Sequence, residues 1–317
     1  MSAARVATAP ALRTFAEDVR AGLSKPQKEL LSQYLYDELG SALFEAITLL
    51  PEYGLTRADQ RLIERLSPDL SPEFSLIAEL GSGGGHKTRQ ILAALGEQNT
   101  VRYFPIDVSA SALAHCAIEL AAFADISPLE YSYLDGIEAA TEHRRPGEKL
   151  LILFLGSTVG NFDRAPREQF LNDLRALVQP GDALLIGFDL VKPLSRMFAA
   201  YDDPTGVTAA FNLNLLGRIN RELGGNFVQA NFIHQVRYNE TEQRIEMHLV
   251  SRVGQTVRIP AANFTCSLRS GETIWTESSY KFLPDEIPEL AARTGFNHRA
   301  QWIDEEWPFL EALWWVQ

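Results

Sequence analysis

Residues 77–89, IAELGSGGGHKTR, constrain the fold more than any other part of this chain. An apolar run leads directly into a cluster of glycines, and a stretch with the apolar spacing of a helix follows. This order predicts the strand, turn and helix of a βαβ unit. Glycines let another molecule approach the bare backbone, and the first turn of a helix presents unpaired N–H groups. The segment therefore predicts a turn that binds a nucleotide-like cofactor.

The spacing of the glycines restricts the kind of nucleotide site. His86 occupies the position of the third glycine in the G-x-G-x-x-G motif of dinucleotide-binding proteins. Lys87 and Thr88 resemble the end of a Walker motif, but the spacing before them does not match it. ATP hydrolysis is therefore disfavoured. A nicotinamide-dependent dehydrogenase is also disfavoured, because the chain lacks an evident hydride-relay residue.

Two acidic residues narrow the ligand further. Asp107 follows the next apolar run, at the spacing of the acid that binds ribose hydroxyls in a βαβ nucleotide unit. Asp135 is expected to end a third strand, residues 129–135, where an adenine amino group would lie in a methyltransferase-type cleft. The alternative is that each Asp is an ordinary turn residue at a strand end. The presence of both, in register with a glycine turn, favours the ligand site.

Short apolar runs alternate with helical spacing between residues 76 and 190, which predicts a parallel sheet with helical crossovers. The runs are residues 76–81, 101–107, 129–135, 150–156 and 183–190. A helix at 284–293, a strand at 296–302 and an apolar run at 309–316 predict an antiparallel hairpin at the edge of this sheet.

The rest of the chain has a different pattern. One long helical piece is expected over residues 194–223, and period-two runs at 227–238, 244–253 and 255–260 predict an inserted α+β unit with an antiparallel sheet. The first fifty or so residues predict a helical lead-in without a sheet partner.

Composition excludes several functional classes. The 317 residues are 46% hydrophobic, enough for a large core in one large domain or about two ordinary ones. A net charge of −12 without a basic run would repel a nucleic-acid backbone. Cys116 and Cys266 are far apart, which is typical of a reducing compartment, and neither they nor the six histidines have metal-ligand spacing. No apolar segment reaches the ~20 residues of a membrane span. We expect a cytoplasmic monomer without a metal, a membrane or a nucleic-acid partner.

Longer motifs make a family resemblance specific. YDELGSALF at residues 36–44, LPEY at 50–53 with TR at 56–57, FLGSTVGNF at 154–162, and YDD at 201–203 through FN at 211–212 occur in order. They resemble the histidine-specific Nα-methyltransferases of ergothioneine biosynthesis over nearly the whole chain. The resemblance implies an α/β fold in which a Rossmann-like S-adenosylmethionine methyltransferase sheet (residues 56–191 and 281–317) carries an inserted α+β substrate-binding domain (residues 1–55 and 192–280).

The resemblance also implies roles for individual residues. The cofactor, S-adenosylmethionine, would be bound by Gly81, Lys87, Asp107 and Asp135. The expected substrate is free L-histidine, whose α-amino and carboxylate groups would be held by Tyr53, Asn161 and Tyr201. Tyr36 would lie beside the amine and the cofactor as the catalytic residue. The imidazole would hydrogen-bond Glu277 and Ser279, with Met247 against the ring.

Three positions depart from the family pattern. Gly54 stands where relatives commonly have a second aromatic residue after Pro-Glu-Tyr, which predicts a looser lid on the substrate side. Ser278 and Tyr280 flank the pair expected to bind the imidazole and differ in bulk from many relatives. Another aromatic amino acid, such as tryptophan, therefore stays open as the substrate. A non-catalytic cofactor-binding module is the alternative from a different class.

Methyl transfer to an amine needs a neutral nitrogen lone pair aligned behind the sulfonium methyl, so positioning is the main catalytic device. Three rounds of transfer would give the trimethyl betaine, hercynine. A quaternary ammonium cannot donate a hydrogen bond, so aromatic faces must hold it in part. Tyr36 and Tyr53 are expected to do so through cation–π attraction, worth about 0.5 to 2 kcal/mol.

Overall fold

The computed structural model describes residues 9–70, 73–96 and 100–317; residues 1–8, part of the expected range 1–55, lie outside them. Short 3-10 turns connect several of the elements. The helices are α1 (Ala9–Leu23), α2 (Glu38–Thr48), α3 (Leu55–Leu66), α4 (Thr88–Gly96), α5 (Ala110–Leu120), α6 (Tyr133–Glu142), α7 (Arg164–Ala176), α8 (Leu194–Tyr201), α9 (Val207–Leu223) and α10 (Glu286–Arg293). The strands are β1 (Lys28–Glu29), β2 (Phe74–Leu80), β3 (Arg102–Ile106), β4 (Asp125–Ile126), β5 (Lys149–Phe154), β6 (Ala183–Asp189), β7 (Phe232–Asn239), β8 (Arg244–Ser251), β9 (Gln255–Ile259), β10 (Phe264–Leu268), β11 (Thr273–Tyr280), β12 (Asn297–Asp304) and β13 (Phe309–Trp315).

The chain divides into two compact units. The insert unit consists of Met1–Tyr53 and Pro193–Ser279, and the sheet unit consists of Gly54–Lys192 and Tyr280–Gln317. The ranges expected from the sequence were 1–55 with 192–280, and 56–191 with 281–317. Each unit has its own sheet system, and each is described by itself below.

The sheet unit contains a seven-stranded sheet in the order β12-β13-β6-β5-β2-β3-β4. Strands β2 to β6 pair in parallel, and β13 pairs antiparallel with both β6 and β12. The predicted parallel sheet with an antiparallel edge hairpin is therefore confirmed. The first strand of this sheet along the chain, β2, lies in its middle. The chain then adds β3 and β4 on one side and β5 and β6 on the other, so the strand order reverses between β2 and β5.

Strand β5 shows why these segments are apolar along their whole length. Leu150, Ile152 and Phe154 lie in one buried cluster, whereas Leu151 and Leu153 lie in another. Because side chains alternate between the two faces of a strand, both faces of this sheet are covered. A strand with two covered faces has no position where a polar side chain would meet water, which explains the unbroken run LLILF.

The insert unit contains a four-stranded sheet, β1-β11-β8-β7, and a separate antiparallel pair, β9 and β10. The α+β character predicted for the insertion is confirmed. The expectation that the N-terminal segment has no sheet partner is wrong, because β1 pairs in parallel with β11. A strand of two residues is too short to show a period-two pattern in the sequence, and only its pairing in the folded protein defines it as a strand.

The single helix expected over residues 194–223 is also wrong. Helix α8 ends at Tyr201 and α9 begins at Val207. Pro204 disfavours helical backbone at the residue before it, and Gly206 adopts φ +78°, outside the right-handed helical region. The Asp203 carboxylate accepts hydrogen bonds from the backbone N–H groups of Val207 and Thr208, which caps the new helix.

Candidate active site

The glycine turn lies at the point of the sheet where ligands of open α/β proteins bind. It follows β2, and a 3-10 turn, Thr158–Asn161, follows β5. These are the two neighbouring strands between which the strand order reverses. Their carboxyl ends therefore flank the topological switch point of the sheet unit.

The backbone of the glycine turn is open at its second glycine. Gly81 and Gly83 adopt φ +71° and +51°, values that favour glycine. A Cβ atom placed on Gly83 would meet no heavy atom within 4 Å, so the backbone faces open space there. At Gly81 the nearest neighbour of such an atom would be the Tyr133 hydroxyl, at 3.2 Å. This geometry fits a cofactor that approaches the main chain closely.

Asp107 follows β3, as the sequence indicated, and lies beside this turn. Its Oδ2 atom accepts a hydrogen bond from the Gly83 N–H at 3.3 Å, and its Oδ1 atom accepts one from the Ser109 N–H at 2.8 Å. Burial raises the pKa of Asp107, although these two N–H groups act against that shift. A carboxylate next to an open glycine turn fits the hydroxyl pair of a ribose.

Asp135 does not end a strand, and that part of the prediction is wrong. The third strand stops at Ile126, with one further bridge between Leu129 and Ile106, and Tyr133 begins helix α6. Asp135 is exposed in the first turn of α6 and accepts a hydrogen bond from the Ser132 hydroxyl at 2.6 Å. Ser132 and Asp135 have the S-x-x-D spacing of a helix start, a signal that the apolar alternation of residues 129–135 concealed.

Lys87 is partly exposed and lies beside buried acidic residues in the sheet unit. Its Nζ atom lies 2.5 Å from Oδ2 of Asp59, a residue with no exposed surface. Burial lowers the pKa of Lys87, but the Asp59 carboxylate outweighs this effect and the pKa is raised. Burial and the neighbouring Asp59 raise the pKa of Glu311 well above its ordinary value.

Asn161 is the last residue of the 3-10 turn after β5. Ser157 begins this turn with φ +60°, and its hydroxyl accepts a hydrogen bond from the Asp189 N–H at 2.8 Å. Ser157 is buried, so that bond anchors the turn to the end of the neighbouring strand β6. Asn161 is only partly buried, as a ligand-binding residue at a strand end would be.

Five aromatic rings form a continuous cluster in the insert unit. Tyr36 contacts Phe44 and Phe211 with ring centroids 5.5 Å apart in both pairs. Phe44 lies 6.3 Å from Tyr53, which in turn lies 6.4 Å from Tyr201. The structure therefore brings three sequence-predicted residues, Tyr36, Tyr53 and Tyr201, into one group. Aromatic faces in such a group suit a cationic amine.

The other insert-unit residues of the predicted site lie on its four-stranded sheet. The Tyr201 hydroxyl donates a hydrogen bond to Ser279 Oγ at 2.7 Å, which links the aromatic cluster to β11. Glu277 is two residues earlier on the same strand and is partly buried. Met247 is almost fully buried on β8, where it pairs with Val236.

The three positions that depart from the family pattern have different surroundings. A Cβ atom on Gly54 would lie 2.2 Å from the Trp307 ring, so this indole fills the space beside Gly54. The Tyr280 hydroxyl donates to Asp163 at 2.9 Å, and the ring packs in the core of the sheet unit. Ser278 is buried on β11.

Sequence reasoning missed several residues of these groups. Phe44 and Phe211 lie inside the quoted motifs but were not assigned a role. Glu311 had a visible signal, since it is the one acid in the apolar run of residues 309–316. Asp59 had none, because a polar residue in an amphipathic helix is ordinarily on the solvent side. Among residues 9–70, 73–96 and 100–317, no helix is long and apolar enough to cross a membrane, and no group of three potential metal ligands occurs.

Residues 15–315 match the sequence profile of a family described as histidine-specific, S-adenosylmethionine-dependent methyltransferases. The histidine N-alpha-methyltransferase of Mycobacterium tuberculosis is 42% identical, over 92% of each chain. The ergothioneine biosynthesis protein 1 of Neurospora crassa is 28% identical over 87% of this chain and 32% of its own. The L-tryptophan methyltransferase of Psilocybe serbica is 25% identical over 90% of this chain and 88% of its own. This chain therefore belongs to the family of histidine-specific, S-adenosylmethionine-dependent methyltransferases.

Proposed function

We propose that this protein transfers methyl groups from S-adenosylmethionine to the α-amino group of free L-histidine. Three rounds of transfer produce the trimethyl betaine, hercynine, for ergothioneine biosynthesis. The observation that carries the proposal is the connected group of Tyr36, Tyr53, Tyr201 and Ser279 in a chain that matches the histidine-specific family. The 42% identity to a histidine N-alpha-methyltransferase supports the choice of substrate.

The sheet unit is proposed to bind the cofactor and the insert unit the amino acid. Gly81 and Asp107 would bind through the open glycine turn and the carboxylate beside it. Lys87 acts from the buried ion pair with Asp59. Asp135, exposed in the first turn of α6, presents a carboxylate that is proposed to accept a hydrogen bond from the adenine amino group. When bound, S-adenosylmethionine supplies a methyl group on a sulfonium whose positive charge disfavours a protonated amine nearby.

The residues of the insert unit position the amino acid. Tyr53, Asn161 and Tyr201 are proposed to hold the α-amino and carboxylate groups. Tyr36 is proposed to face the amine, which must lose a proton before each transfer because the pKa of an α-amine is near 8 or higher. Its ring, packed against Phe44 and Phe211, offers a face to the methylated nitrogen after it has lost its N–H donors.

The imidazole is proposed to hydrogen-bond Glu277 and Ser279 on β11. Ser279 accepts a hydrogen bond from Tyr201, and a hydroxyl that accepts one bond can also donate one, here toward the lone pair of a ring nitrogen. The Glu277 carboxylate accepts a hydrogen bond from a ring N–H, and Met247 is proposed to pack against the ring. Two hydrogen-bonding groups of opposite kind distinguish imidazole from a purely apolar ring.

We further propose that the protein works in the cytoplasm as a monomer, on a small molecule and without a nucleic-acid, membrane or metal partner. The net charge of −12 supports the absence of a nucleic-acid partner. Size-exclusion chromatography with light scattering measures the oligomeric state, and a mass near 35.4 kDa is expected.

Incubation with S-adenosylmethionine and each of the twenty amino acids, read by product mass, tests the function. Histidine should gain three methyl groups and be the preferred substrate. Mono-methyl histidine as the only final product would contradict the three rounds. Tryptophan is the second candidate because one relative is a tryptophan methyltransferase. Preferential methylation of tryptophan would replace histidine as the substrate, and the absence of any methylated amino acid would overturn the enzymatic proposal.

A further inference from the structure

Tyr201 is the last residue of the eight-residue helix α8. The last carbonyl groups of a helix lack partners within the helix. The Tyr201 carbonyl finds its partner on another element, because Nε2 of His234 on β7 lies 2.8 Å from it. The same Tyr201 carries the hydroxyl that donates to Ser279. The main chain and the side chain of Tyr201 therefore both take part in hydrogen bonds to other elements.

The hydrogen-bond role of His234 is determined by its other neighbour. Its Nδ1 atom lies 2.9 Å from the amide nitrogen Nδ2 of Asn212, which also donates to the His248 carbonyl at 3.3 Å. A carbonyl oxygen only accepts, so the His248 carbonyl requires the NH2 end of Asn212 on this side. Rotating the amide would place its oxygen against that carbonyl and lose the bond. His234 Nδ1 must then accept, and the ring hydrogen must be on Nε2.

A neutral ring with the hydrogen on Nε2 is the form that donates to the Tyr201 carbonyl. Burial lowers the pKa of His234, although the Tyr201 carbonyl, Asp202 and Asp203 act in the opposite direction. His234 is 8% exposed and Asn212 is fully buried, so water does not compete well for these bonds. A buried imidazole and amide in this order hold the helix end in one place.

We propose that His234 and Asn212 are positioning residues for amino-acid binding, because they orient Tyr201 through its backbone carbonyl. The inference rests on the proposed function, in which Tyr201 contacts the polar end of the amino acid. Loss of a contact made equally in the ground state and the transition state raises KM and leaves kcat nearly unchanged. If the two residues only stabilised the fold, their substitution would lower the melting temperature without raising KM relative to kcat.

The test compares His234→Leu, which has no donor, with His234→Gln, whose amide NH2 can reach the position of Nε2. We expect His234→Leu to raise the KM for histidine about five- to tenfold, the equivalent of one lost hydrogen bond, with kcat within about twofold of wild type. His234→Gln should recover most of the affinity. Asn212→Ala removes the group that keeps the ring hydrogen on Nε2 and should raise KM about threefold. This variant tests the inference if His234→Leu does not fold.

Ile245→Ala is the matched control. Ile245 is buried on β8 and pairs with Tyr238, away from His234, so its truncation should lower the melting temperature without changing KM. An unchanged KM in His234→Leu and Asn212→Ala overturns the inference, as does an equal KM rise in Ile245→Ala, or no recovery in His234→Gln. Wild-type protein that neither binds nor methylates histidine overturns the proposed function, and this inference with it. Activity in the wild type with normal KM in the variants overturns the inference alone.

Discussion

The two units build their polar sites from different chemistry. In the sheet unit, the partly exposed Lys87 lies among three buried acidic residues, Asp59, Glu79 and Glu311. In the insert unit, the predicted site residues are mostly hydroxyl-bearing and aromatic, and they are fixed by neutral hydrogen bonds such as Tyr201 to Ser279. Buried charges tolerate the loss of a partner poorly, whereas neutral contacts can be lost singly at moderate cost.

This difference between the units separates residues that stabilise the fold from residues that bind the substrate. Helices cover the faces of a parallel sheet, so a charge placed there is removed from water and must be paired within the fold. The aromatic cluster of the insert unit contacts itself and needs no counter-charge. We therefore expect substitutions in the charged group to affect folding first, and substitutions in the insert-unit site to affect binding first.

The largest effect is expected for Lys87→Met, which leaves Asp59 buried without its cation. The free energy of unfolding should fall by about 3 kcal/mol, near the lower limit for a broken buried pair because Lys87 is 28% exposed. Urea unfolding measures it. Lys25→Met removes the exposed pair with Glu29 and should change stability by less than about 0.5 kcal/mol. Equal losses of stability in the two variants would contradict the difference between the units, and recovery of stability in Lys87→Met/Asp59→Asn would support it.

Glu277→Ala is expected to act on binding and not on folding. Removal of a charged acceptor from the imidazole should weaken histidine binding by roughly 10- to 100-fold. Titration calorimetry in the presence of S-adenosylhomocysteine measures the affinity. Glu240→Ala, at the exposed turn between β7 and β8, is the control and should bind as wild type does. Unchanged affinity in Glu277→Ala would remove its proposed role, and a large loss of stability would contradict the contrast between the units.

Gly54→Ala tests packing in the sheet unit. The added methyl group would lie 2.2 Å from the Trp307 ring, which must move, at a cost of about 1.5 kcal/mol. Thermal unfolding measures the loss. Gly254→Ala is the control, because its nearest neighbour would be a carbonyl oxygen 4.0 Å away. If Gly54→Ala is as stable as wild type, Trp307 does not determine the residue at this position.

The smallest effect is expected for Asp203→Ala, at about 1 kcal/mol, since it removes the cap of α9. Burial would raise the pKa of Asp203, but hydrogen bonds from Thr205, Thr208 and Val207 outweigh burial and hold the pKa well below its usual value. Its contribution is present above the unfolded pKa of about 4 and is lost as pH falls below it. The difference in the free energy of unfolding between wild type and variant, measured by urea unfolding, should therefore decrease as the pH is lowered. A constant difference down to low pH would exclude this role.

Much of the sheet unit was predictable because its signals are local. The alternation of apolar runs with helical spacing gave the strand sequence β2, β3, β5 and β6, and the glycine turn after β2 identified the switch point. The strand predicted at residues 129–135 was wrong because alternating apolar residues fit a strand as well as the first turn of a helix. Ser132 and Asp135 start a helix there, and that choice depends on packing of Ile137 and Ala140 in the core.

The insert unit was less predictable because its site residues are far apart in the chain. Tyr36, Tyr53, Tyr201 and Ser279 come together only in the folded unit. Their grouping was expected from the family resemblance, and periodicity carried no information about it. His234 offered no signal, since a lone histidine in a strand has many ordinary uses.

The α/β class, the glycine turn, Asp107 and the family could be read from the sequence alone, because each depends on short motifs and on their order along the chain. The tertiary structure alone decided that Asp135 begins a helix, that Lys87 pairs with Asp59, and that His234 donates to Tyr201. The physical reason is that a hydrogen-bond or ion-pair partner is chosen by distance in space. Only folding brings residues 59 and 87, or 201 and 234, within that distance.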